Sequence, residues 1–83
     1  MTVVPIGLLH VLNRFPEHEE PIKRLYRKNE SFQILVKDYG RCEEALRHWR
    51  TLASGEAPLR TAEYAALLQE LEEEILEHLE GDP

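Results

Sequence analysis

The 83-residue sequence predicts an all-α fold: a long antiparallel helical hairpin, coiled-coil-like, preceded by one or two short N-terminal helices. Three observations carry this. Phe32, Leu35, Tyr39, Cys42, Leu46 and Trp49 recur at intervals of 3, 4, 3, 4 and 3, the a/d spacing of a heptad helix, with Ala53 on the next a position. Tyr64, Leu67, Leu68, Leu71, Ile75 and Leu79 line one face of a second helical segment. Between the two, Ser54-Gly55-Glu56-Ala57-Pro58-Leu59-Arg60 is a strong loop signal, and a short loop between long amphipathic helices makes them antiparallel neighbours.

In chain order, residues 5–14 read as a short helix with Leu8, Leu9, Leu12 and Phe15 to one side. Phe15-Pro16-Glu17-His18 marks a boundary. Pro21 then suits the first turn of a second short helix through Asn29, with Ile22, Leu25 and Tyr26 facing inward. Asn29 is an N-cap for the long helix 30–53. Gly40 inside it costs about 0.5–1 kcal/mol relative to Ala, yet the heptad phase runs through, so one continuous helix is expected, with a kink as the alternative. Gly55 supplies a left-handed residue to end it, and Thr61 caps the last helix, 61–80, which stops near Gly81.

With the loop centred near Ala57, the expected rungs are Trp49 with Ala65, Leu46 with Leu68, Cys42 with Leu71 and Tyr39 with Ile75. One domain, 1–83, results. Its N-terminal part, 1–29, is expected to fold over the open end near Phe32 and Leu79, or to dock on another subunit, because a hairpin alone cannot bury both its seam and these apolar residues.

Charge narrows the function. Ten basic against 16 acidic residues give a net charge of −6, and the balance runs from +2 over residues 1–29 through 0 over 30–60 to −8 over 61–83. The last segment holds no base, which disfavours nucleic acid and anionic membrane surfaces as partners. Its glutamates near the helix C-terminus oppose the dipole, and Lys37 or Arg41 on the facing helix is expected to pair with Glu73 or Glu77. The apolar run at Val3, Val4, Ile6, Leu8, Leu9, Val11 and Leu12 is too short for a membrane span and lacks a basic flank and a cleavage pattern, so the protein is expected to be cytoplasmic. The single cysteine excludes an intramolecular disulfide and fits a reducing compartment.

The run Leu8-Leu9-His10-Val11-Leu12-Asn13-Arg14-Phe15-Pro16-Glu17-His18, followed by Ile22-Lys23-Arg24-Leu25, Asn29, Phe32, Leu35, Tyr39 and the closing helix with Leu71-Glu72-Glu73-Glu74-Ile75, resembles the YdcH-like family of small bacterial proteins over roughly residues 8–80. Phe15-Pro16-Glu17-His18 with Leu25, Asn29 and Phe32 at the right distance is the most specific part. The resemblance implies a cytosolic helical hairpin, often self-associating, without a settled biochemical role. The chain departs from that family in its last helix, where Leu71-Glu72-Glu73-Glu74 stands in place of the usual Leu-Lys-Asp-Glu.

Chemistry-bearing residues favour structural explanations. His10, His18, His48 and His78 have no i, i+3 or i, i+4 partner among themselves and no Glu-x-x-His motif, so surface histidines are expected rather than metal ligands. Cys42, on a d position without Cys-x-x-Cys, is a small packed hydrophobe. Trp49, Tyr39, Tyr64 and Phe32 are core by their helical spacing. Glu72, Glu73 and Glu74 point in different directions around a helix and cannot converge on one ion. Neither a phosphate loop nor a nucleophile elbow occurs, so no catalytic residue, cofactor or metal is assigned.

The expected function is protein–protein association without catalysis, first as a homo-oligomer, with a dimer favoured. The candidate interface is Leu8, Leu9, Leu12, Phe15, Ile34, Leu52 and Leu76. The alternative is an adaptor whose acidic face, Glu70, Glu73, Glu77 and Glu80, recruits a basic protein; a metal-binding role for His and Glu ranks third.

Overall fold

A computed structural model describes residues 4–52 and 54–81. Four α-helices and no strand occur among them: α1 (Ile6–Arg14), α2 (Glu19–Lys28), α3 (Glu30–Thr51) and α4 (Ala57–Gly81), with a 3-10 turn, Pro16–His18, between α1 and α2. The all-α class is as the sequence predicts. Ala53, placed last in the heptad, lies outside the described residues, as do Met1 to Val3, Asp82 and Pro83.

Local chemistry sets the breaks. Pro16 pushes the residue before it away from helical geometry, and Phe15 has φ −125° and ψ 64° while its N–H still donates to the Val11 carbonyl at 3.0 Å. Pro21 sits in the first turn of α2, where a missing N–H costs nothing. Asn29 serves two helices. Its N–H closes the last turn of α2 on the Leu25 carbonyl at 2.9 Å, and its side-chain oxygen accepts from the Phe32 N–H at 3.0 Å to cap α3. Gln33 locks this joint by donating to the Tyr26 carbonyl at 2.6 Å.

The core is one cluster in which α1 gives Leu8 and Val11, α2 gives Ile22 and Leu25, α3 gives Phe32, Leu35, Val36, Tyr39 and Cys42, and α4 gives Leu71 and Ile75. Phe15 joins it from the break after α1. Residues early in α3 meet residues late in α4: the Phe32 and His78 rings lie 5.7 Å apart, and the Tyr39 hydroxyl donates to Glu72 at 2.9 Å.

Of the expected rungs, Leu46 with Leu68 and Cys42 with Leu71 line common clefts, and Tyr39 shares the core cluster with Ile75 while its hydroxyl reaches one turn further back to Glu72. The turn between the helices is shorter than expected. The helix begins at Ala57, not Thr61, so most of 54–60 is helical and Thr61 caps nothing. Pro58 is compatible because it occupies the first turn, and Ser54 organises the chain reversal, its Oγ accepting from the Glu56 N–H and its carbonyl from the Ala57 N–H. Gly55 has no positive φ, so the left-handed ending assigned to it is absent. Trp49 is half-buried outside the core and lines an open cleft with Leu52, Ala57 and Pro58.

Within the N-terminal part, α2 packs near the open end, with Ile22 and Leu25 in the cluster that holds Phe32 and is flanked by Leu79, but α1 does not. Instead α1 lies across the middle of α3, and glycine on both sides explains it. A Cβ on Gly7 would stand 2.5 Å from the Val36 carbonyl oxygen, and one on Gly40 would stand 2.7 Å from the Cα of Gly7. The two backbones touch where any side chain would hold them apart. Gly40 therefore sits inside one continuous helix, as expected, but for a reason that lies in α1.

Candidate interaction site

Two features of the surface follow from this crossing. The first is a groove of about 520 Å³ between the start of α1, the end of α2 and the outer side of α3. Ile6 and Ile34 are its apolar walls, at 57% and 56% exposure, and Gly7 and Gly40 form its floor. Lys37 and Arg41 rise from α3 inside it, with Glu30 and Glu44 towards its two ends. On the opposite flank of α1, Val4 and Leu9 are also exposed and line a second open cleft with Leu12 and Lys23. Of the large hydrophobic residues left on the surface, Val4, Ile6, Leu9 and Ile34 thus gather around one short helix, whereas Leu52, Leu59 and Leu67 belong to the other end of α3 and to α4.

The second feature is a polar seam that ties three helices. Arg14 at the end of α1 reaches Glu72 on α4 through Nε at 3.0 Å and a second guanidinium nitrogen at 3.4 Å, and the buried Tyr39 hydroxyl of α3 donates to the same carboxylate. The hydrogen bond to Glu72 and its charge raise the Arg14 pKa further above its ordinary value. Burial, followed by the hydrogen bond to Glu72 and its charge, pushes the Tyr39 phenol well above its ordinary range. One turn earlier on α1, His10 faces Glu43 at 3.2 Å. The cross-helix partner of the acidic helix is thus α1; among the described residues no ion pair joins Lys37 or Arg41 to Glu73 or Glu77.

A raised tyrosine pKa makes a signed prediction. The folded state favours the neutral phenol, so this contribution is complete below the ordinary value of 10.0 and fades as pH rises past it. Stability should fall above about pH 10, and Tyr39→Phe should flatten that fall in a pH series of chemical denaturation.

The expected interface residues divide. Leu8 and Phe15 are buried in the chain's own core, and Leu12 and Leu76 pack half-buried against it, so these four are occupied. Leu9, Ile34 and Leu52 are exposed, but Leu52 is 18 residues beyond Ile34 on the α3 side, about 27 Å along a helix axis, and does not share the groove. Ile6 and Val4, which belong to the N-terminal apolar run, are the exposed residues the periodicity did not single out. Glu70, Glu73, Glu77 and Glu80 are all exposed on α4.

Other chemistry finds little support in the geometry. Cys42 is buried and its thiol donates to the Tyr64 carbonyl at 3.3 Å; burial, then Glu43, raises its pKa, which makes it a poor nucleophile. Among the described residues no three His, Cys, Asp or Glu side chains gather where they could hold a metal ion. No helix among them is long and apolar enough to cross a membrane. Set against known proteins, the chain matches no family model, no curated protein and no solved structure.

Proposed function

We propose that the chain is a non-enzymatic helical protein that works by associating with proteins, first with a second copy of itself, as a dimer in the cytoplasm. The observation that carries this reading is the concentration of exposed Val4, Ile6, Leu9 and Ile34 around α1, with an open groove between α1 and α3. A chain of 83 residues has little apolar surface to spare, and leaving four large aliphatic side chains exposed around one short helix is unfavourable unless something covers them. The opposed order of contacts between α3 and α4 supports an antiparallel, coiled-coil-like hairpin as the scaffold, with α1 and α2 laid on it. The resemblance to YdcH-like proteins points the same way.

Linkage between folding and assembly provides the test. An associating chain is stabilised by its own concentration, so its thermal midpoint should rise as protein concentration is raised from micromolar to near-millimolar levels. A midpoint that stays constant over that range would count against self-association.

A second reading is favoured by one observation. Glu70, Glu73, Glu77 and Glu80 are exposed, and among the described residues none of them forms an ion pair, so α4 presents an uncompensated acidic face that a basic protein could cover. Such a complex should weaken steeply from low to physiological salt and should be lost when Glu73 and Glu77 are changed to Gln.

A further inference from the structure

We infer that the outer stripe of α3 is a two-fold symmetric interface on which a second copy of this chain docks antiparallel, Arg41 of each copy against Glu30 of the other. This rests on the proposal of self-association and names its surface. Glu30, Ile34, Lys37, Arg41 and Glu44 follow one another at intervals of 4, 3, 4 and 3, and all five are exposed, so they form one straight row along α3. The same five residues line the groove beside α1.

The row is complementary to itself. It reads acidic, apolar, basic, basic, acidic, and among the described residues no ion pair engages any of its four charged members. Glu30 and Arg41 cannot satisfy each other within one chain, because eleven residues of helix separate them by about 16 Å. Reversing a second copy on the first removes that obstacle. Symmetry then makes the Glu30–Arg41 pair twice, lays Ile34 of each copy on the aliphatic stem of Lys37 of the other, and brings the two Ile34 side chains within about one turn of each other near the axis.

Matching Lys37 with Glu30 also covers Ile34 but leaves Arg41 opposite position 26, outside the row, and the registers that use Glu44 do less. Matching Lys37 with Glu44 sets Ile34 against Arg47, and matching Arg41 with Glu44 sets it against Thr51, so the exposed isoleucine stays uncovered in both. Ile6, on the rim of the groove, extends the apolar patch from α1. The acidic face of α4 takes no part.

Charge reversal tests this on a single polypeptide, since each substitution appears on both sides of a symmetric contact. The probe is the self-dissociation constant from sedimentation equilibrium at low salt, with helicity by circular dichroism as the check on folding. Glu30→Arg and Arg41→Glu should each raise the constant about tenfold or more, and the double variant should return it to within about threefold of the parent. Glu73→Arg should leave it unchanged. Dimers that ignore both single reversals, a folded double variant that fails to recover, or dimers that weaken on Glu73→Arg would each overturn this surface while leaving self-association in place. A parent chain that is monomeric at every concentration would remove both.

Discussion

Replacing Gly7 by Ala should destabilise the protein by about 1–3 kcal/mol, lowering the thermal midpoint by roughly 5–15 °C, and Gly40→Ala should act in the same direction. Helix propensity predicts the opposite sign, because Ala is favoured over Gly by about 0.8–1.0 kcal/mol inside a helix. The close approach of α1 to α3 decides between them. The atoms a new Cβ would meet are the Val36 carbonyl oxygen at 2.5 Å and the Gly7 Cα at 2.7 Å, both backbone, so relief requires moving a whole helix rather than turning a side chain. Moving α1 strains the Arg14–Glu72 contact and loosens Leu8 and Val11. Gly55→Ala is the internal control: nothing lies within 4 Å of its Cβ position and its φ is not positive, so it should be neutral or slightly stabilising. Thermal melts of the three variants at one protein concentration check this, and a rise in midpoint for Gly7→Ala and Gly40→Ala would show that the helices do not touch there.

Ile75→Ala should cost about 2–5 kcal/mol, against a total stability of roughly 4–12 kcal/mol for a chain of this size. Ile75 is fully buried in the cluster to which all four helices contribute, and truncating it leaves a cavity between α4 and its neighbours that a thin core cannot close. Leu67 is the matched comparison. It lies two turns earlier on the same helix, is 42% exposed, and its change to Ala should cost well under half as much. Urea denaturation of both variants measures the difference. Equal losses would mean that α4 does not present Ile75 to α3.

The parts of this architecture written in local pattern were legible from the sequence. The heptad from Phe32 to Leu46 marks the buried face of α3, and Asn29 caps that helix as its side chain suggests. What was illegible depends on contacts between distant residues. Gly40 looked like a tolerated weakness, because its reason, Gly7, stands 33 positions away and carries no periodic signal. Pro58 signals a loop or a helix start equally well, and taking it as loop moves the start of α4 from Ala57 to Thr61. The placement of α1 on the middle of α3 gives Glu72 to Arg14, with Tyr39 beside it, in place of the expected pairing of Lys37 or Arg41 with Glu73 or Glu77. The candidate interface was half legible for the same reason. Apolar spacing finds residues that want cover, but only the tertiary arrangement separates Leu8 and Phe15, which the core takes, from Leu9 and Ile34, which it leaves outside.

The net charge of −6 reads differently once the helices are placed. One glutamate of the acidic helix, Glu72, is drawn into the fold by Arg14 and Tyr39, while Glu70, Glu73, Glu77 and Glu80 face outward. The basic side chains Lys37 and Arg41 stand in the groove beside α1, away from those acids. The surface is thus divided into an acidic face on α4 and a mixed, partly apolar face on α1 and α3.

Sedimentation equilibrium of the unmodified chain over a wide concentration range tests the central claim, self-association, most directly. The weight-average mass should climb from the 9.7 kDa of a single chain towards twice that value as concentration rises. A mass that stays at the single-chain value at every concentration would contradict it.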